Sequence, residues 1–501
     1  MILAIDLGTT ATKVSIVGPD MSVLASSQRR ITTHSAPGGV SEQEARDWLT
    51  AVIDCVEDLH AQRPQLASEV EAMAVTGHML GCLPVDAEGQ PLSRHLLHGD
   101  TRSRLQSAQI EQIFGESQFY EMTGNRPGPS TLAKMLWFKQ QQPEIYARTA
   151  FFLQSKDFVT GWLTGEYGTT DYSDASHACL INIHTLSYFD DVYETLGLDM
   201  AKLPSLNPGN AIVGRLCPDA AQALGLKPGA PVVAGAGDGA CSAIGAGAAK
   251  AGDHYCCLGT TAWTACMAPK AVLDPARRNF NIVSGDGLSV GSFGTIQNAG
   301  RAIDWAQAAC QVSSLKDFDT LAAAVEPGSN GLIFLPYLAG ERSPHFDPDA
   351  RGAFIGLGTE HETGHLLRAV LEGISMALRD TIDMHRDDGL VIDSLHLIGG
   401  GGKSGLWRQI LADVLGVPVS RLLSPSEHAT TVGAAILAGT AIGLFADLSE
   451  GAACLVRLDT LTPDETAVRR YEQLHAIYRQ LYATLKPIHG QLAEYRNCSG
   501  C

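Results

Sequence analysis

Apolar residues open the chain in a short run, Ile2 to Ile5, which Asp6 closes before a Gly/Thr turn. An apolar run of that length, bounded by turn residues, predicts a buried strand. Two more strands are predicted at Val14 to Val17 and Ser22 to Ser26, parted by the turn Gly18-Pro19-Asp20. Ser41-Glu42-Gln43-Glu44 then reads as a capping box that starts a helix, because its ends can satisfy two otherwise free backbone N–H groups. That helix would set Trp48, Leu49, Val52, Ile53, Val56 and Leu59 on one face, at spacings of three and four. Val70 to Val75 predicts a further strand ending at Thr76-Gly77. Strands alternating with helices place this region in the α/β class.

The pattern then restarts. Pro231 to Ala234 predicts a strand leading into Gly235-Ala236-Gly237-Asp238-Gly239, and Asp253 to Leu258 another leading into Gly259-Thr260-Thr261. Leu-Gly-Thr-Thr therefore stands twice, at Leu7 to Thr10 and at Leu258 to Thr261, each time after a predicted strand. An internal duplication explains the repeat better than chance recurrence of four small residues. The Gly/Ala-rich stretch Ala246 to Gly252 has few bulky anchors and marks the junction, giving domains 1–246 and 247–501. Later elements are a helix over Leu366 to Met384, a strand at Leu395 to Ile398, a helix over Ser404 to Leu415 and a strand at Val417 to Ser420. Two helices follow, Thr431 to Ile442 and Glu465 to about Tyr495.

A length of 501 residues fits two domains rather than one core, and 45% hydrophobic residues supply enough material for both. The net charge of −18, with no run of Lys or Arg longer than two, argues against nucleic acid and anionic membrane as partners. No signal peptide and no long uninterrupted apolar stretch is visible, so a cytoplasmic location is expected. The twelve cysteines form no disulfide framework. A Cys-x-x-Cys spacing at Cys498 and Cys501 has no second pair to make a metal site and reads as a frayed terminus.

Three Gly-bearing turns follow predicted strands. In Asp6-Leu7-Gly8-Thr9-Thr10-Ala11-Thr12-Lys13, Gly8 lets the turn close on a phosphate while the threonines donate to its oxygens, and Asp6 is placed to hold Mg²⁺. Gly259-Thr260-Thr261 is the same device from the other half; singly either could be an ordinary tight turn, but a facing pair would grip a polyphosphate from two sides. The third, Gly399-Gly400-Gly401-Gly402-Lys403-Ser404, offers a surface free of side chains for a base or ribose, and fits neither the Rossmann nor the P-loop fingerprint. Glycines around Asp238 clear room for a carboxylate that must reach a substrate hydroxyl, although an Asp there could equally cap the following helix.

Taken in order, these motifs resemble the FGGY family of carbohydrate kinases, in the actin/hexokinase-like ATPase superfamily, and above all its xylulose-phosphorylating branch. The likeness runs through Asp6 to Lys13, Ser155-Lys156-Asp157, Thr164-Gly165-Glu166, Gly237-Asp238, Gly259 to Thr261, Pro336 to Pro344 and Ile398 to Asp413, nearly the whole chain. It implies two ribonuclease-H-like domains with ATP and sugar in the cleft between them. Asp238 would be the catalytic base, and Asp6 and Asp238 would face Mg²⁺. Gly8, Thr9, Thr10, Lys13, Gly259, Thr260, Thr261, Gly300, Asp304, Gly400, Gly401 and Ser404 would hold ATP. On the sugar side stand His78, Met79, Leu80, His98, Asp100, Arg102, Asp238 and Gly239. The implied substrate is a small sugar or polyol, a ketopentose such as D-xylulose, and a homodimer is the assembly found in relatives.

The sugar side departs from the family pattern. Gln-Met-His-Gly becomes His78-Met79-Leu80-Gly81, Trp-Asn-Asp becomes His98-Gly99-Asp100, and the Asn after the catalytic Asp becomes Gly239. Each change removes or moves a hydrogen-bonding group, and such changes redirect substrate choice. L-xylulose, ribulose, tetritols, glycerol and gluconate stay open as alternatives. Two other classes also stay open: an actin- or chaperone-like ATPase that does no sugar chemistry, and a sensor that binds sugar without turnover.

Overall fold

The computed structural model of the chain describes residues 1–422 and 426–498; Cys501, and with it the Cys-x-x-Cys spacing of the tail, lies outside the described residues. Two seven-stranded sheets make the framework. Across the first the order is Ile212–Arg215, Pro231–Val233, Ala72–Gly77, Ile2–Leu7, Ala11–Val17, Val23–Arg30, with Ala236–Gly237 also pairing to Ala72–Gly77. Across the second it is Arg457–Leu461, Val419–Leu422, Leu395–Ile398, His254–Leu258, Ala262–Ala268, Val290–Ile296, Phe280–Val283. Ile2–Leu7 makes an antiparallel hairpin with Ala11–Val17 and a parallel pair with Ala72–Gly77. His254–Leu258 does the same with Ala262–Ala268 and Leu395–Ile398. The repeated Leu-Gly-Thr-Thr thus sits at the same hairpin of two like sheets, as a duplicated unit requires.

Side chains alternate across a strand, so each sheet needs cover on both faces. Leu3 and Ile5 pack with Val14 and Ile16 against the helix Ala45–Gln62 through Trp48, Val52, Val56 and Leu59. Ile2 and Ala4 face the other way, onto Val432 and Ile436 of the helix Ala429–Ala441. That helix follows six of the second sheet's seven strands in sequence yet covers the first sheet, and the same core includes Tyr255 and Ile398 of the second. The halves are therefore joined by shared apolar packing as well as by chain. The second sheet is covered by the helices Thr363–Asp387, Gly405–Leu415 and Glu465–Cys498, through residues such as Leu371, Leu378, Trp407, Leu411 and Tyr471.

The capping box is a correction. Val40–Gln43 is a strand, paired with His34–Ala36 and His95–Leu96, and the helix begins at Ala45 with no side-chain cap. Its polar residues have long-range partners that outcompete a local cap. Gln43 Nε2 donates to the Thr9 carbonyl at 2.7 Å, Gln43 Oε1 accepts from Trp48 Nε1 at 3.0 Å, and Glu42 pairs with Arg102 at 2.6 Å. Among the described residues no helix is long and apolar enough to cross a membrane, and the ten cysteines from Cys55 to Cys454 are free thiols.

Candidate active site

Both Leu-Gly-Thr-Thr hairpins are closed by glycine. Gly8 N–H donates to the Ala11 carbonyl at 3.0 Å, and Gly259 N–H to the Thr261 carbonyl at 3.0 Å. The first loop is braced from behind: the Thr9 carbonyl accepts from Gln43, and the Thr10 carbonyl from Ile31 N–H at 3.0 Å. The second is braced by the helix Gly300–Ala309, whose Gly300 N–H reaches the Gly259 carbonyl at 2.9 Å. A Cβ at Gly300 would lie 2.8 Å from that oxygen, so only glycine allows the helix to start so close. The third turn leaves Leu395–Ile398 through Gly399 at φ 91°, and Ser404 caps the next helix by accepting Trp407 N–H at 3.1 Å.

The second and third turns border one cavity of about 820 Å³, a volume that suits a nucleotide. Gly259, Thr260, Gly300, Asp304, Gly400, Gly401 and Ser404 line it, together with Lys403 and the apolar Ile303, Leu315, Phe318 and Leu371. Thr261 and the first loop do not. Lys13 lies in a separate cavity of about 410 Å³ beside Ser26, Ser27, Gln28, Glu427 and His428, where its ammonium donates to the Glu427 carbonyl.

Asp6 ends one strand and Asp238 follows another, and both strands flank Ala72–Gly77. Asp6 is in register with Thr76, and Ala236 and Gly237 with Thr76 and Gly77, so the two carboxylates share one sheet edge. Burial raises Asp6 to about 6, against the pull of Lys13. Burial and then the charge of Asp6 raise Asp238 to about 7, against a hydrogen bond from Gly239 N–H. Two half-buried carboxylates that resist ionising suit a hard divalent cation. Among the described residues no group of three or more His, Cys, Asp or Glu could hold a metal ion.

On the sugar side the expected residues separate. Met79 packs against the base segment: a Cβ at Gly237 would lie 2.5 Å from Met79 Cε, and one at Gly239 3.5 Å from its sulfur. Leu80 takes φ 63°, and its carbonyl accepts from Lys134 Nζ at 2.7 Å. His78 turns into the core, its ring 5.8 Å from Trp48 and 5.1 Å from His95, and burial pushes it down to about 3. Asp100 and Arg102 are engaged with each other at 2.7 Å, with Ser41 N–H and Glu42 as further partners and Trp137 beneath the guanidinium. That pair braces the loop before the helix Arg104–Phe114. His98 keeps contact with solvent, yet partial desolvation by its surroundings, then Lys134 and Arg342, lower its pKa.

Residues that sequence reasoning did not single out for the site come in from both halves. His177 ends the short helix Tyr172–His177, 5.2 Å from Phe280, and is lowered to about 4 by burial, then by His98 and Arg342. Arg342 lies in the second half, in the stretch Pro336 to Pro344 quoted for the family likeness; His177 had no sequence signal at all. Together they set His98, His177 and Arg342 within electrostatic reach of one another.

Two like sheets with matching hairpins, a nucleotide-sized cavity in the second half and a carboxylate edge in the first define a two-domain α/β phosphotransferase of the actin-like ATPase fold. Residues 1–245 match the N-terminal domain and residues 254–442 the C-terminal domain of the FGGY family of carbohydrate kinases, and the chain belongs to that family. It is 32% identical over 500 residues to a xylulose kinase of Bacillus subtilis, covering 99% of each chain. Two solved structures from Lactobacillus acidophilus, a ligand-bound xylulose kinase and a gluconate kinase, each superpose with a TM-score of 0.91 at 25% identity. Each covers 98% of this chain and 99% of its own. The chain is a sugar kinase, with ATP as the phosphoryl donor of its family.

Proposed function

We propose that the chain transfers the γ-phosphoryl group of ATP to a hydroxyl of a ketopentose, D-xylulose being the first candidate, with Asp238 as general base. One observation carries the role of Asp238: its carboxylate, tuned to about 7, stands at the sheet edge beside Asp6. A base of that strength can take a hydroxyl proton near neutral pH and release it afterwards. Residues 1–246 would hold the sugar and the first phosphate loop, and 247–501 the nucleotide. Mg²⁺ bound by Asp6 and Asp238 would neutralise phosphate charge. The glycine and threonine loops would orient the phosphates, which is most of what phosphoryl transfer asks of a protein. Closure of the cleft would exclude water and so limit idle ATP hydrolysis.

A second reading, an acid sugar such as gluconate, is favoured by Arg342, His98 and His177 gathered at one place, and by the equal likeness to a gluconate kinase. A coupled ADP-release assay with Mg-ATP against pentuloses, pentitols, tetritols, glycerol and aldonates separates these readings. The expected result is strong stimulation by D-xylulose, lost about 10²- to 10⁴-fold in Asp238→Asn. Stimulation by gluconate alone would move the assignment to the acid sugar, and sugar-independent hydrolysis that survives the substitution would remove Asp238 as the base.

A further inference from the structure

Beside Asp238 lies a buried polar cluster to which the proposed mechanism gives no role. The side chains of Lys156 and Asp171 are 0% exposed, and those of Asp157 and Asp174 are 2% and 1% exposed. Lys156 Nζ stands 2.5 Å from Asp157, 3.0 Å from Asp171 Oδ1 and 3.4 Å from Asp174. One ammonium among three carboxylates is costly to bury. Burial raises the pKa of Asp174 well above the ordinary carboxylate range, against the pull of Lys156.

The other oxygen of Asp171 accepts twice from Ser173, from its N–H at 2.7 Å and from its O–H at 2.5 Å. With its proton committed to Asp171, Ser173 Oγ is left as an acceptor, and it takes the N–H of Gly237 at 2.9 Å. Gly237 immediately precedes Asp238. Its other restraints are the in-register pairing with Gly77 and the Met79 side chain. Asp171 also caps the helix Tyr172–His177, but a cap needs neither a buried lysine beneath it nor a serine that reaches a residue 64 positions along the chain.

We infer that Lys156, Asp171 and Ser173 form a positioning relay for the base. The ammonium fixes Asp171, Asp171 orients the Ser173 hydroxyl, and that hydroxyl anchors the peptide on which Asp238 is mounted. The inference rests on Asp238 being the base. Attack geometry is strict, and a displacement of about 1 Å costs about 10²-fold in rate.

The test is steady-state kinetics of the full chain with Mg-ATP and its best sugar. Ser173→Ala, Ser173→Thr and Asp171→Asn are measured alone, and Ser173→Ala also in an Asp238→Asn background. The expected result for Ser173→Ala is a kcat about 10- to 100-fold lower, with both KM values within about twofold. Ser173→Thr, which restores the hydroxyl, should recover most of that loss. Asp171→Asn retains one acceptor oxygen for the helix start but loses the charge that Lys156 holds in place, and should lower kcat in the same way; it also serves should Ser173→Ala fold poorly. In the Asp238→Asn background Ser173→Ala should add nothing, because it acts through the missing group. An unchanged kcat, a rise in KM instead, or the same fold-loss on top of Asp238→Asn would overturn the relay. Full activity in Asp238→Asn alone would instead remove the base assignment on which it rests.

Discussion

Asp238 and Asp6 each resist ionisation, and the sign of that resistance has consequences for stability as well as rate. A carboxylate whose folded pKa lies above its unfolded value binds protons more tightly when folded, so stability falls as pH rises from about 4 toward the folded pKa. For Asp238 that window ends near 7. Asp238→Asn removes the charge, so thermal denaturation should find the variant more stable than the parent at pH 8, by on the order of 1–3 kcal/mol. The difference should be clearly smaller at pH 5 and vanish toward pH 4. An equal difference at pH 8 and pH 5 would mean the folded pKa is not raised. Phosphorylation by the parent should decline on the acid side as Asp238 takes up its proton, until bound Mg-ATP lowers that midpoint.

The helices Asp238–Gly245 and Ala429–Ala441 touch through glycines from both sides. A Cβ at Gly433 would lie 1.9 Å from the Cys241 carbonyl, and one at Gly245 1.8 Å from the Ala429 carbonyl. The first helix carries the proposed base and the second covers the first sheet, so their spacing would couple catalysis to the core. Gly433→Ala must push the pair apart and is expected to cost about 1–3 kcal/mol, as overpacked sites do. Denaturant unfolding measures that cost, and kcat should fall with it because the base moves with its helix. Activity and stability both unchanged would show that the contact relaxes freely.

At the scale of the whole molecule, the nucleotide-sized cavity belongs to the second half and the carboxylate edge to the first. A ligand that binds the folded state alone stabilises it by about 2.7 kcal/mol at a hundred times its Kd. A non-hydrolysable ATP analogue with Mg²⁺ should therefore raise Tm, and Gly300→Ala should weaken that rise, since its methyl would intrude on the Gly259 carbonyl at the cavity wall. An identical shift in both proteins would place the nucleotide elsewhere.

Strand-ending glycines, the repeated hairpin tetrapeptide and the apolar face of the helix Ala45–Gln62 were legible from residue order, because backbone conformation and side-chain period are local properties. So was the family. The capping box failed for the opposite reason: the partners of Glu42 and Gln43 are Arg102, Thr9 and Trp48, and no local rule weighs a distant partner against a near one. The sugar side shows the same divide. His78 and the Asp100–Arg102 pair read as pocket residues in the sequence, yet packing turns the first into the core and engages the others with each other. His177, Arg342 and Ser173 gained their neighbours only when the two halves and the strand Ala236–Gly237 came together. Sequence alone thus determined the class of machine and its paired glycine-closed hairpin turns, which are built from backbone and short-range contacts. The tertiary structure alone decided which polar groups surround the base, because that depends on contacts between segments tens to hundreds of residues apart.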